Sequence, residues 1–177
     1  MREATRYAVN IAEKAGILRS FDPNLRPPLW NSLEEAKRQI CWGLAHCDIL
    51  KISQEELEFV TGKTDMDEGA VLLRASYPIS LLCVTAGPGG SRVYYKNLTA
   101  EQKAYLLPDT IETTGAGDTF AGSVLNFVLD HGLDHLGADD LKEMLSFANA
   151  AAALVTTRKG ALAVMPCAEE VLKLKNS

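Results

Sequence analysis

No apolar run in this sequence approaches the ~20 residues that a bilayer crossing needs. Nor is there a basic excess to hold nucleic acid. The 177 residues carry 18 Lys and Arg against 23 Asp and Glu, a net charge of -5. Any anion site must therefore be local, built from backbone amides and a few side chains. The four cysteines, Cys41, Cys47, Cys83 and Cys167, form no C-x-x-C and do not sit with histidines at zinc spacing. That pattern favours a reduced, cytoplasmic compartment. No G-x-G-x-x-G follows the first predicted strand, which argues against a dinucleotide-binding oxidoreductase. Internal repeats, low-complexity segments and linkers are absent. The opening Met1-Arg-Glu-Ala-Thr-Arg6 reads as an exposed helical start rather than a signal peptide.

What is present is an ordinary globular balance, 47% hydrophobic and 23% charged, long enough for one domain spanning 1–177. Ala4, Tyr7, Ala8, Ile11 and Ala12 recur at helical spacing, and Gly16 closes that helix. Residues 17–21 read as a short strand ending at Asp22-Pro-Asn24. Ser32 and Ser53 each precede a helix with an acid three residues on, Glu35 and Glu56, the spacing of a capping box. Strands are expected over 48–52 and 79–85. The second is a continuous apolar run with Cys83 buried inside it, the kind found in a sheet covered on both faces. Gly87 to Gly90 is a turn, and alternation over 92–96 and 102–107 predicts a hairpin across 97–100. Helices are expected over 67–77, 117–131, 138–157 and 167–175. This order implies an α/β sheet with helices on both faces.

The stretch Glu112-Thr-Thr-Gly-Ala-Gly-Asp-Thr-Phe-Ala-Gly-Ser123 carries the chemistry. Gly115, Ala116 and Gly117 let a ligand approach the backbone. The amides of 115–118 at the start of the next helix form an anion site. Asp118 falls in the first turn, where it is either a plain helix-stabilising charge, worth ~0.3–1 kcal/mol, or a general base. A helix N-terminus favours the charged carboxylate, which suits a proton acceptor.

This stretch resembles the second signature of the ribokinase-like sugar kinases, the PfkB family, and four further blocks agree in the family's order. Residues 21–30, FDPNLRPPLW, resemble bacterial and plant fructokinases most. Residues 50–62, LKISQEELEFVTG, resemble the family's Asn-x-x-Glu segment, with Ser53 where the family usually has Asn. Residues 84–91, VTAGPGGS, and 147–161, FANAAAALVTTRKGA, resemble the nucleotide-side turn and the adenine helix with its following loop. The resemblance implies a doubly wound ribokinase-like sheet and an ATP-dependent, fructokinase-like sugar kinase that uses Mg²⁺. Asp118 is then the base, and Gly115, Ala116 and Gly117 the anion hole. Ser53, Thr85, Gly87, Gly90 and Asn149 contact the nucleotide, and Glu56 organises Mg²⁺ through water. Asp22, Asn24 and Arg26 lie where open α/β sheets place ligands and are candidates for substrate or phosphate contacts. A potassium-type site of mostly carbonyl oxygens falls on Glu112, Thr114, Val155 and Gly160, with Glu112 in place of the family's usual Asp.

The resemblance covers only the C-terminal half to three-fifths of such a kinase. The Gly-Gly-x-x-x-Asn sugar block, several strands and the lid have no counterpart here. The expected partners are ATP, a sugar with fructose favoured, and either a missing N-terminal half or a second copy. Nucleic acid and membrane are not expected. The alternative function is a non-catalytic nucleotide-binding or scaffolding module derived from a kinase.

Overall fold

The computed structural model describes residues 2–176, which form two compact units divided between Val84 and Thr85. In the first, α1 (Arg2–Lys14), β1 (Ser20–Phe21), α2 (Leu33–Leu44), β2 (Ile49–Ser53), α3 (Gln54–Thr61), α4 (Met66–Ser76) and β3 (Leu81–Thr85, whose last residue opens the second unit) follow in order. The strands lie in chain order, β1-β2-β3. β1 runs parallel to β2, with Ser20 opposite Ile49 and Phe21 opposite Leu50. Ile49, Leu50 and Ile52 are buried, as are Leu81 to Val84. Each such side chain contributes roughly 1.5–3 kcal/mol of burial. Helix α3 packs on α2, α4 and β2. Gly69 of α4 lets Leu57 of α3 approach: a Cβ there would lie 2.9 Å from the leucine side chain.

Two expectations for this unit need correction. The first strand is two residues long rather than five. Ile17 and Leu18 are exposed, and the Arg19 N–H donates to the Asp48 carboxylate (2.8 Å) instead of to a strand. At Ser32 the capping box is only half made. The Ser32 hydroxyl accepts from the Glu35 N–H (3.1 Å), but the Glu35 side chain turns to Arg2, Arg38 and Gln39. An available cation outcompetes the Ser32 amide. Helix α1 forms over its expected span, yet none of its residues is buried, and Tyr7 and Ile11 are 69% and 48% exposed.

The second unit contains a 3₁₀ turn at Gly87–Gly89, β4 (Ser91–Tyr95), β5 (Leu98–Gln102), α5 (Ala116–His131), α6 (Ala138–Val155), a 3₁₀ turn at Ala161–Val164 and α7 (Ala168–Lys175). β4 and β5 pair antiparallel from Ser91↔Gln102 to Tyr95↔Leu98. The hairpin turn is therefore Lys96-Asn97, with Lys96 at φ 48°, and not 97–100. Alternation over 102–107 misplaced the second strand. Tyr105 instead leaves the sheet for α6, where its hydroxyl meets Ser146 Oγ (3.1 Å). Helix α6 is the hub, packed on α5, β5 and α7. Its alanines Ala150 and Ala151 allow close approach to Val171 of α7. The Tyr95 hydroxyl donates to the Leu133 carbonyl (2.5 Å), anchoring β4 to the loop after α5.

All four cysteines are free. Burial pushes the Cys83 thiol up to about 12, and burial chiefly does the same at Cys47. Among the described residues no helix is long and apolar enough to cross a membrane.

Candidate active site

In the second unit, Gly115 at φ 83° ends the loop and caps α5 without a side chain. A Cβ on it would sit 3.2 Å from Ala161, so the loop before α5 lies directly on the turn after α6. The Ala116 N–H donates to Thr113 O (3.2 Å) and is thus already used. Among the described residues the amides of Gly115, Gly117 and Asp118 have no backbone acceptor. These three, rather than 115–117 as a block, are the donors left for an anion.

Asp118 is exposed and stands at the third position of its helix. Every helix from α2 to α7 has an acid there: Glu35, Glu56, Glu68, Asp118, Asp140 and Glu170. Glu56, Asp140 and Glu170 reach back to the amides of Ser53, Gly137 and Cys167. Glu35 and Glu68 pair with Arg38 and Lys63. Among the described residues Asp118 alone of the six has neither kind of partner.

Beside it lies a cavity of about 280 Å³, lined by Thr85, Gly87, Gly90, Ala116, Gly117 and Asn149, with Tyr105, Phe120, Thr110 and Thr156. The predicted nucleotide contacts of this unit thus converge on one pocket with no charged side chain in its wall. Asn149 is buried and spends its amide group on Ser91 Oγ (2.8 Å) and Gln102 O (3.3 Å). It ties α6 to the hairpin, and only its carbonyl oxygen remains for a ligand. Tyr105 and Phe120 were not singled out from the sequence; an aromatic that breaks strand alternation was the available signal at Tyr105.

The cation candidates also converge. The N–H groups of Ile111 and Glu112 both donate to Thr156 O (2.8 and 3.2 Å), which brings the 112–114 loop to the end of α6 beside Val155. Gly160, at φ 132°, opens the turn against which Gly115 packs. The carbonyls of Val155 and Gly160 each already accept one N–H, from Arg158 (3.3 Å) and Ala163 (3.0 Å). Each keeps a second lone pair, which fits a carbonyl-lined monovalent site.

In the first unit, Ser53 and Glu56 complete a capping box, and Glu56 is buried. Its Oε2 accepts from the Ser53 N–H (2.9 Å) and its Oε1 from the Leu25 N–H (2.6 Å). A cavity of about 290 Å³ is lined by Asn24, Arg26, Lys51, Ser53 and Glu56. Arg26 is exposed, its guanidinium donating to Leu25 O (3.2 Å). Asp22 pairs with Lys51 (3.1 Å), yet its carboxyl is raised, chiefly by burial and against the pull of Lys51. Among the described residues no three His, Cys, Asp or Glu side chains converge to hold a metal. Glu56 has one free lone pair per oxygen and no carboxylate partner in such a cluster. It fits an ion held through water, and does not fit a dedicated cage. Lys51, missed from the sequence, is the charged residue in the otherwise apolar run of β2.

Solved kinases share this fold. Fructokinase from Vibrio cholerae O395, in a fructose-, ADP- and calcium-bound form, aligns with a TM-score of 0.85 and 30% identity over 98% of this chain and 55% of that one. Aminoimidazole riboside kinase from Salmonella enterica, complexed with aminoimidazole riboside and an ATP analog, aligns at 0.84 and 29% over 99% and 58%. The class is that of the α/β small-molecule kinases with a ribokinase-like doubly wound sheet. Fructokinase-2 of Solanum lycopersicum is 41% identical over 178 aligned residues, 98% of this chain and 52% of the relative. The profile described as pfkB family carbohydrate kinase matches residues 2–167, and the chain belongs to that family. It spans about half the length of the curated relatives it matches.

Proposed function

We propose that these residues supply the nucleotide-binding and proton-accepting part of an ATP-dependent sugar kinase acting on fructose. The observation that carries this is the unpartnered Asp118 carboxylate, set beside three open amides and a neutral cavity. In this reading the cavity holds the nucleoside, with Gly87 and Gly90 allowing close approach of its backbone. The amides of Gly115, Gly117 and Asp118 donate to the oxygens of the transferred phosphoryl group, where charge must be stabilised. Asp118 takes the proton of the attacking sugar hydroxyl as the bond to phosphorus forms and the bond to ADP breaks. In the first unit Glu56 would hold Mg²⁺ through water, with the Ser53 hydroxyl available, and the ion would supply charge neutralisation on the nucleotide phosphates. Asn24 and Arg26 face the same cavity as Glu56 and serve the anionic end of the substrates. The carbonyls near Glu112, Thr114, Val155 and Gly160 would hold a potassium ion, which would stiffen the loop that carries Gly115.

Fructose is favoured because Fructokinase-2 of Solanum lycopersicum is 41% identical, against 29% for the aminoimidazole riboside kinase, and the Vibrio cholerae structure holds fructose. Asp118→Asn in the full-length protein carrying these residues tests the base. ATP-dependent fructose phosphorylation, followed as ADP release, should fall roughly 10²–10⁴-fold, with nucleotide binding retained. Surviving turnover would refute the assignment. A full-length protein that binds nucleotide but phosphorylates no sugar would instead be a binding module.

A further inference from the structure

Glu56 is clamped by two amides of different origin. The Ser53 N–H belongs to its own helix cap, but the Leu25 N–H comes from the loop after β1, 31 residues away in sequence. That second bond is the shorter, at 2.6 Å. It exists only because the loop 22–26 folds back over the start of α3. The loop turns at Asn24, which sits at φ 44°, a left-handed conformation that asparagine tolerates better than other side chains apart from glycine. Pro23 stiffens the step before it. The ion pair of Asp22 with Lys51 (Nζ to Oδ2, 3.1 Å) ties this loop to β2, while the Asn24 amide acts on the same carboxylate from within the loop. Lys51 is 12% exposed, placed mid-strand in β2 with buried Leu50 and Ile52 on either side. Its partner's other oxygen, Asp22 Oδ1, is buried and accepts no hydrogen bond. The pair is therefore directional. One rigid strand residue reaches one loop carboxylate, and the loop then delivers its amide to Glu56.

We propose that Lys51 is a positioning residue, which fixes the rotamer of Glu56 through Asp22 and the Leu25 amide. It deepens the kinase reading, because it rests on Glu56 being the acid that holds the metal through water. An ammonium lost here frees the loop without touching the capping box, so Glu56 keeps one amide and swings about it. A carboxylate that must order a hydrated ion suffers more from such freedom than the fold does.

The test uses the whole chain with Lys51→Met, Lys51→Arg and Asp22→Asn, followed in two ways. Hydrogen exchange by NMR reports the Leu25 amide, and electron paramagnetic resonance reports Mn²⁺ binding in the presence of ADP. Lys51→Met and Asp22→Asn should speed exchange at Leu25 about ten-fold or more while leaving the Ser53 amide protected. Both should weaken Mn²⁺·ADP binding by about the same factor, and Lys51→Arg should restore both readings. Unchanged exchange at Leu25 in Lys51→Met, or joint loss of protection at Leu25 and Ser53, overturns the inference. Faster exchange at Leu25 with Mn²⁺·ADP binding intact upholds the positioning of Glu56 and removes its metal role instead, so the two failures are told apart.

Discussion

Replacing Gly90 by alanine puts the local geometry of the second unit's cavity to a quantitative test. Gly90 follows the 3₁₀ turn and sits at φ 94°, ψ -143°. A Cβ built there would lie 2.1 Å from the carbonyl oxygen of Gln102 and 2.9 Å from both Ala104 N and Lys103 Cα. All three are backbone atoms, so no side chain can turn away. Positive φ alone costs an L-residue roughly 1–2 kcal/mol. Forcing the end of β5 outward adds an overpacking term of roughly 1–3 kcal/mol. It also strains the Ser91↔Gln102 pairing and the Asn149 bond to Gln102 O, for roughly another 0.5–1.5 kcal/mol. The expected loss is about 2.5–6.5 kcal/mol, a large part of the 5–15 kcal/mol that holds a typical domain together. Gly132→Ala is the control. It has φ 76° and nothing within 4 Å of the added Cβ, so it bears the conformational cost alone. Urea unfolding of both variants, followed by circular dichroism, gives the difference directly. If Gly90→Ala is less stable than Gly132→Ala by under about 1 kcal/mol, the backbone clash is not real and the reasoning about close approach fails.

The cap at Ser53 should contribute about 1 kcal/mol, lost in Ser53→Ala and kept in Ser53→Asn, both read from urea midpoints. Asp140→Ala should destabilise more than Asp118→Ala, because only Asp140 bonds an N-cap amide; equal losses would remove the contrast on which the Asp118 assignment rests. A thiol reagent at pH 8 should find Cys167 at once and part-buried Cys41 more slowly, with buried Cys47 and Cys83 silent until unfolding; a third fast thiol would contradict their burial. Glu170 is held down to about 2, first by the hydrogen bond from Arg158 and next by the Cys167 amide. A depressed carboxyl stabilises fully above its unfolded value near 4.5 and loses that contribution as pH falls toward 2. Glu170→Gln should therefore narrow the stability gap to the parent as pH drops through that window; a gap that stays constant with pH would refute the pairing.

What the sequence made legible was what local rules decide. Residues 116–131, 138–155 and 168–175 are helical within two residues of expectation at each end, because apolar spacing and an acid in the first turn agree there. The capping box at Ser53 was visible for the same reason. At Ser32 the same spacing misled, since the choice of Glu35 between an amide and the guanidinium of Arg38 is made in space. The hairpin register was lost to a two-residue turn at Lys96-Asn97 with no glycine to announce it. Lys51 and the Leu25 amide could not be found by spacing at all, because their partners lie 29 and 31 residues away.

An acid at the third position of a helix is thus no evidence of function in this chain, since it recurs from α2 to α7. What distinguishes Asp118 is the condition of its neighbours. Asp140 and Glu170 sit behind N-caps whose amides need an acceptor, and their carboxylates are consumed by that need. Gly115 precedes Asp118 in a left-handed conformation, with its own amide and those of Gly117 and Asp118 left open. Open donors at a helix start are tolerated when water or a ligand supplies the acceptor. An acid that closed them would gain the ~1 kcal/mol of a cap and would block the same donors from an anion. Glu56 resolves that conflict differently, serving as a cap on one oxygen and as a loop anchor on the other, with a lone pair left on each. The acids thus follow from one local rule and diverge through the backbone of the cap: Ser53 and Gly137, both extended, present an amide that binds the acid, and Gly115, left-handed at φ 83°, leaves its acid free.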